Sequence, residues 1–406
     1  SNILESSSSP FNLVDIYKSM LGAKEIDVTN FLTPKNKVIT IHPFASHIRK
    51  AWPTAKWSEL IYKLLKEDKE VEINIVGSSA DKDDLIKITS NPSLEIYNRR
   101  ITSHVGKGTI EDTFNILADS HLFIGHDSMV SHLAAILRMP SVILSLGTVK
   151  PHETTPYNDR AVNLAPRNKC FPCNLSTSCE LLPCHGSITP QTVTAVSQNI
   201  IEHGQLEKEK LLSALSSFHL DSTNIYTASF DKAGLSIKEL SGNDQNINET
   251  FRTYYRILWS YYFKGLEINT DIPKLDKEAV KQLNFIGEGV KHLFELYSHG
   301  FQFCNQILDE SEKDSPSIQS IQDTVTKLAE VDSLISTTKG VYPQLSSLAD
   351  FFFVNKANAA GNNIIEITNN NLIAFHEASN LTAILDDLLH KTIGPRVEGE
   401  STIENV

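Results

Sequence analysis

The sequence predicts an α/β domain built on a parallel sheet, followed by an all-α domain. Three features carry that reading. Up to about residue 204, short apolar runs alternate with helix-patterned stretches, the order of a parallel sheet covered by helices on both faces. The runs stop at turn residues, three of them at or near Gly77, Gly125 and Gly147. Beyond Gly204 the pattern is long and helical, and only four of the 16 prolines lie after residue 190.

Taken in order, 38–41 (VITI) is a short strand ending at His42-Pro43. Residues 57–65 have helical spacing, with Trp57, Leu60, Ile61, Leu64 and Leu65 on one face. Next come a strand at 71–76 (VEINIV), a charged helix at 81–88 and a strand at 94–97. A helix at 110–117, a strand at 122–124, an apolar helix at 129–137 and a strand at 142–144 complete the alternation. Ligands of such sheets bind outside the carboxyl ends of the strands, which is where Gly77, Gly125 and Gly147 fall. A closing helix spans 189–202, with Pro190 suited to its first turn. Helices at 251–263, 277–308, 318–335 and 372–389, broken near Pro273, Pro316 and Pro343, make an all-α domain or bundle. The chain thus divides into a linker with a leading helix (1–36), an α/β domain (37–204), a helical domain (205–393) and a polar, flexible tail (394–406).

Composition narrows the function. The 406 residues carry 37 Lys+Arg against 49 Asp+Glu, a net charge of −12. That balance argues against a general nucleic-acid binder, which needs clustered cations for phosphates. No stretch approaches the roughly 20 apolar residues of a membrane helix, and no secretory signal is present, so a cytoplasmic protein is expected. No G-x-G-x-x-G follows a strand, which disfavours a nicotinamide enzyme. The chain starts at Ser1 rather than Met, which fits a processed or truncated piece.

Four segments, in order and suitably spaced, resemble the C-terminal half of glycosyltransferase family 9, the heptosyltransferases. They are 41–57 (IHPFASHIRKAWPTAKW), 75–81 (IVGSSAD), 123–135 (FIGHDSMVSHLAA) and 146–148 (LGT) with Pro151 and Pro156-Tyr157 downstream. Residues 11–23 (FNLVDIYKSMLGA) resemble the family's linker into this domain, so the likeness covers about 10–203. It implies the donor half of a GT-B fold, in which two Rossmann-like domains face across a cleft and the N-terminal one usually supplies the catalytic base. That base is then outside this chain, and no catalytic residue is assigned. A GT-B transferase using another donor, such as UDP-N-acetylglucosamine, is also compatible.

The donor's diphosphate needs a cation, backbone amides and a helix N-terminus. Lys50 matches the family lysine that contacts donor phosphates; its plain alternative is a solvated surface lysine. Asp127 and Ser128 open the apolar helix, where they cap it, face the donor, or both. His132, one turn further on, matches a donor-site histidine but sits where a core histidine is equally ordinary. Thr148 offers a hydroxyl to phosphate, and Asp81 aligns loosely with a nucleotide contact. Phe44 stands where the family usually has Gly, and Met129-Val130 where it has Gly-Pro. Bulk there narrows a ligand's approach to backbone. The donor loops are then reshaped for another sugar, or tight donor binding is lost.

Cys170, Cys173, Cys179 and Cys184 fall within 15 residues, with only Cys304 elsewhere. Four thiolates so close suit a closed, structural zinc or iron site; reduced thiols or two disulfides are the alternatives. Some relatives of the family, including bacterial protein heptosyltransferases, carry a similar four-cysteine finger. The aromatic run 254–263 and Phe351-Phe352-Phe353 are either bundle core or a docking surface for a second copy or a protein partner. Two functions compete. One is transfer of a sugar, such as heptose, from an ADP-heptose-like donor to a glycan or protein hydroxyl. The other is a degenerate donor domain that works as an interaction module through its helical half.

Overall fold

The computed structural model describes residues 10–23, 37–174, 176, 178–240, 247–267 and 275–393. Most of the expected linker (1–9, 24–36) and the expected tail (394–406) lie outside the described residues. Two compact units divide the chain, one over Pro10–Asn243 and one from Asp244 onward.

The first unit begins with α1 (Leu13–Leu21), whose cap Asn12 accepts a hydrogen bond from the Val14 amide at 3.0 Å. Then follow β1 (Val38–His42), α2 (Thr54–Glu67), β2 (Glu72–Ile75), α3 (Lys82–Thr89), β3 (Ile101–Ser103), α4 (Ile110–Ala118), β4 (Leu122–His126), α5 (Met129–Ile136) and β5 (Ser141–Leu144). A short α6 (Pro151–Thr154) leads to β6 (Ala161–Pro166), α7 (Cys184–Ser187), α8 (Pro190–His203), α9 (Lys208–Ala214) and α10 (Ser217–Ser222). The unit closes with β7 (Thr223–Asp231) and β8 (Gly234–Glu239).

The eight strands form one sheet in the order β3-β2-β1-β4-β5-β6-β7-β8. The first six are parallel and carry the doubly wound, Rossmann-like order 3-2-1-4-5-6. Side chains alternate across the sheet with period two. Ile39, Ile41, Leu122, Ile124, Val142 and Leu144 face the core that includes Trp57, Leu60 and Ile61 of α2 and Val193 and Val196 of α8. Phe123 and Ile143 face the opposite core, with Leu117 of α4 and Val130 and Ala134 of α5. Each such aliphatic side chain, buried from water, stabilises by about 1.5–3 kcal/mol.

Two sequence expectations shift. Residues 94–97 lie in 3₁₀ turns (Pro92–Arg100), and the strand comes directly after them. Asn91 caps those turns by accepting from the Ser93 amide at 3.1 Å, and Pro92 fits their start, so local turn chemistry wins over the apolar run. The sheet also runs past the expected boundary at 204. β7 and β8 form an antiparallel hairpin on the β6 edge, with Asp231 opposite Gly234. The hairpin covers a strand edge that would otherwise offer unpaired backbone groups. α1 belongs to the same unit. Its Asp15 accepts from the Tyr157 hydroxyl at 2.5 Å and from the Leu235 amide at 2.9 Å.

The second unit contains α11 (Ile247–Lys264), α12 (Lys277–Ser311), α13 (Ile318–Val341), α14 (Ser346–Ala357) and α15 (Ile364–Ile393), with no strand among the described residues. Along α12 the buried positions Ala279, Leu283, Ile286, Val290, Leu293, Tyr297, Gly300, Cys304 and Ile307 step by four and three. In α15, Ala374, Ala378, Leu381, Leu385 and Leu388 do the same. This spacing gives each helix a coiled-coil-like seam, and α12 packs against α15. The aromatic run on α11 splits: Tyr254, Tyr255, Leu258 and Trp259 are buried, whereas Tyr261 and Phe263 are exposed. Trp259 stacks on Tyr255 and meets Phe351 of α14 at 5.2 Å between centroids. No described helix is long and apolar enough to cross a membrane.

Candidate functional site

The loops after β1, β2, β3 and β4 enclose a cavity of about 750 Å³, a volume suited to a small ligand. Strand order reverses between β1 and β4, so their loops leave a crevice at the carboxyl edge, and the cavity lies there. His42, Phe44 and Lys50 come from the β1 side, Gly77, Ser78 and Asp81 from the β2 side. The β3 loop contributes Lys107, Thr109 and Thr113, and the β4 loop Asp127, Ser128 and Met129.

The structure brings Lys50, Asp127 and Ser128 together on this wall. Lys50 Nζ lies 3.7 Å from Asp127 Oδ2, and the other oxygen of Asp127 lies 3.6 Å from His132 Nε2. One mostly buried carboxylate is thus flanked by an ammonium and an imidazole. Ser128 is the N-cap of α5, and its hydroxyl meets His42 Nδ1 at 3.2 Å. Ser131 returns to the cap by accepting from the Ser128 amide at 3.2 Å. The first-turn amides of a helix have no partner within it, and Met129 and Val130 of that turn line the cavity. Burial pushes His42 down to about 4, against a small opposing pull from Asp81, so its ring is neutral at pH 7.

Two expected residues stand elsewhere. His132 is half-exposed on α5 and meets the cluster through Asp127 instead of lining the cavity. Thr148 is not among the residues that line the cavity either. The cause is Gly147, which turns the chain at φ +63° against Arg49 and accepts from the Cys173 amide at 2.7 Å. The loop after β5 therefore faces the cysteine segment.

The two departures from the family pattern behave differently. Phe44 is 5% exposed, and its ring folds onto Gly77, where an added Cβ would stand 2.5 Å from Cε2. The ring floors the cavity instead of blocking it. Met129 is 56% exposed beside the opening. Asp81 spends one oxygen on its own turn, accepting from the Ser78 amide and hydroxyl at 2.7 Å each.

The structure does not bring Cys170, Cys173, Cys179 and Cys184 into a metal site. Among the described residues no group of three or more His, Cys, Asp or Glu side chains is placed to hold an ion. Cys170 is exposed and Cys184 is buried at the start of α7. Burial, with the neighbouring cysteines adding to it, pushes the Cys173 and Cys184 thiols up. What the segment does is brace the Lys50 loop. Arg49 Nη1 donates to the Asn174 carbonyl at 3.3 Å, and Lys56 Nζ donates to the carbonyls of His185 and Ile188 at 2.6 and 2.9 Å.

Lys107, Thr109 and Thr113 escape the sequence reading because the strand before them was expected at 94–97. The visible signal was Gly106-Lys107-Gly108 followed by Thr109, whose side chain accepts from the Asp112 amide to cap α4. His42 and His126 were also passed over, although each ends a strand.

A family model described as glycosyltransferase family 9 (heptosyltransferase) matches residues 19–183. Lipopolysaccharide heptosyltransferase 3 of Escherichia coli is 32% identical over 106 residues, which is 26% of this chain and 30% of that protein. Among solved structures, E. coli ADP-heptose LPS heptosyltransferase II aligns with 47% of this chain and 51% of its own, at 20% identity and a TM-score of 0.36. E. coli heptosyltransferase WaaC with ADP covers 37% and 47%, at 19% identity and a TM-score of 0.30. The chain spans less than a third of the curated relative and about half of these solved chains. The resemblance of the first half to this family is borne out over 19–183. The helical unit lies beyond the matched residues.

Proposed function

We propose that the α/β unit is the donor-binding half of a GT-B glycosyltransferase, taking an ADP-heptose-like nucleotide sugar whose sugar passes to a glycan or protein hydroxyl. The observation that carries this reading is the cavity at the β1/β4 switch point, walled by Lys50 and the N-terminus of α5, inside the stretch that matches the family. In such a transfer the acceptor oxygen bonds to the anomeric carbon. The bond from that carbon to the diphosphate breaks, and the diphosphate leaves with the electron pair. Negative charge grows on the phosphates, where an ammonium and a helix N-terminus stabilise it. Lys50 and the first-turn amides of α5 take those roles. A phosphate oxygen competes with Asp127 for the Lys50 ammonium. The acceptor's proton goes to a base that this reading assigns to the acceptor-binding half of the enzyme. The expected cytoplasmic location belongs to this proposal.

Calorimetric titration with ADP and UDP tests it. The chain is expected to bind ADP, and Lys50→Ala to weaken binding at least tenfold, or about 1.4 kcal/mol. Absence of binding by any nucleotide or nucleotide sugar, with Lys50→Ala silent, overturns the reading. One observation favours the alternative of an interaction module. Met129, exposed beside the cavity, replaces the family's usual glycine, and Tyr261 and Phe263 are exposed on α11. Light scattering that shows self-association abolished by Tyr261→Ser with Phe263→Ser, in a chain that binds no nucleotide, would select it.

A further inference from the structure

The loop between β1 and α2 carries Lys50, and one buried histidine holds both of its ends. His126, the last residue of β4, is fully buried. Its Nε2 accepts from the Trp52 amide at 2.9 Å, and its Nδ1 lies 3.2 Å from the Phe44 carbonyl oxygen. An amide only donates and a carbonyl only accepts, so the two partners fix the ring's state. Nδ1 carries the proton and Nε2 is bare. The pinned points, Phe44 and Trp52, bracket Lys50. The next residue after the histidine is Asp127, which faces Lys50 at 3.7 Å. The last residue of β4 and the one after it thus reach the same loop, and Asp127 does so from the cavity.

The ring itself is immobilised. Trp57 of α2 meets it edge-on at 5.4 Å, and Trp52 meets Trp57 at 5.1 Å. The Trp52 indole donates to the Ile188 carbonyl at 3.1 Å. An asparagine has no atom as far out as Nε2, the nitrogen that reaches the Trp52 amide, whereas the imidazole bridges both partners.

We propose that His126 is a positioning residue: as a neutral bridge between the Phe44 carbonyl and the Trp52 amide, it holds Lys50 at the cavity wall beside Asp127 for a diphosphate. This rests on the donor-binding reading of the cavity. The bridge itself depends on no ligand.

Two measurements test it together. A crystal structure of His126→Asn without nucleotide is expected to show the 44–52 loop released at Trp52 and Lys50 Nζ displaced from Asp127. An unmoved Lys50 overturns the proposal. His126→Gln, which reaches the Trp52 amide, serves as a second variant if the first does not fold. A double-mutant cycle then reads ADP binding. His126→Asn is expected to weaken ADP about tenfold in the native background and to have no further effect in Lys50→Ala. Equal, additive losses in both backgrounds overturn the positioning role. If the native chain binds neither ADP nor pyrophosphate, the donor reading fails, and the loop structure still decides whether His126 places Lys50.

Discussion

Acidification should destabilise the α/β unit through two histidines, and the size of the effect follows from their surroundings. Burial pushes His126 from its ordinary 6.5 down to about 3, with the nearby His42 and Lys50 adding to the drop, and pushes His42 to about 4. In the unfolded chain both take a proton near pH 6.5; in the folded chain neither does. The contribution is therefore fully present above pH 6.5 and is lost as pH falls toward the folded values. Each group's loss approaches about 1.4 kcal/mol per pH unit in that window. Between pH 6.5 and 5.0 the pair together removes about 3 kcal/mol, against a typical total stability of about 5–15 kcal/mol. Burial lowers His185 and His104 as well, in the same direction, so the native protein alone does not isolate the effect. Urea unfolding at pH 7, 6 and 5, followed by tryptophan fluorescence, should be compared between the native chain and His126→Asn. The native chain is expected to lose about 1.6 kcal/mol more than the variant between pH 6.5 and 5.0. Parallel pH dependences in the two proteins would refute the buried, neutral His126.

Three further outcomes follow from packing. Gly147→Ala places a Cβ 2.6 Å from the Arg49 carbonyl oxygen at a φ of +63°, so chemical denaturation should show a loss of about 2 kcal/mol or more, with the Arg49–Lys50 turn displaced. Asp15→Ala strips the Tyr157 hydroxyl and the Leu235 amide of their shared acceptor, and about 2 kcal/mol should be lost, with faster proteolysis within 10–23. Gly77→Ala drives Phe44 off the cavity floor at a cost of about 1–3 kcal/mol, which Phe44→Leu in the same chain should partly restore when both are measured by urea unfolding.

The strands were legible where an apolar run ended sharply, as at His42, Gly77 and Gly125. That sufficed to point to the carboxyl edge and to Lys50, Asp127 and Ser128. β3 was not legible, because Leu94, Ile96 and Tyr97 mimic a strand while Asn91 and Pro92 close 3₁₀ turns around them. With β3 misplaced, Lys107 and Thr109 had no strand end to mark them. β7 and β8 were overlooked for another reason. Their half-buried, alternating pattern follows two short helices and precedes long ones, and only the tight Asp231–Gly234 turn announces a hairpin. The roles of His126 and Gly147 lie in contacts between residues more than 70 positions apart, and no spacing along the chain encodes them. The cysteine spacing suggests ligands, but that the segment's backbone also braces the Lys50 loop is written in no spacing.

On the proposed function, the β1/β4 crevice holds the diphosphate of a nucleotide sugar. A crystal structure of the chain soaked with ADP tests it most directly. Phosphate oxygens are expected within hydrogen-bond distance of Lys50 Nζ and of the first-turn amides of α5, with Asp127 parted from the lysine. ADP bound elsewhere on the chain, with the Lys50–Asp127 pair intact and the crevice empty at saturating nucleotide, would contradict it.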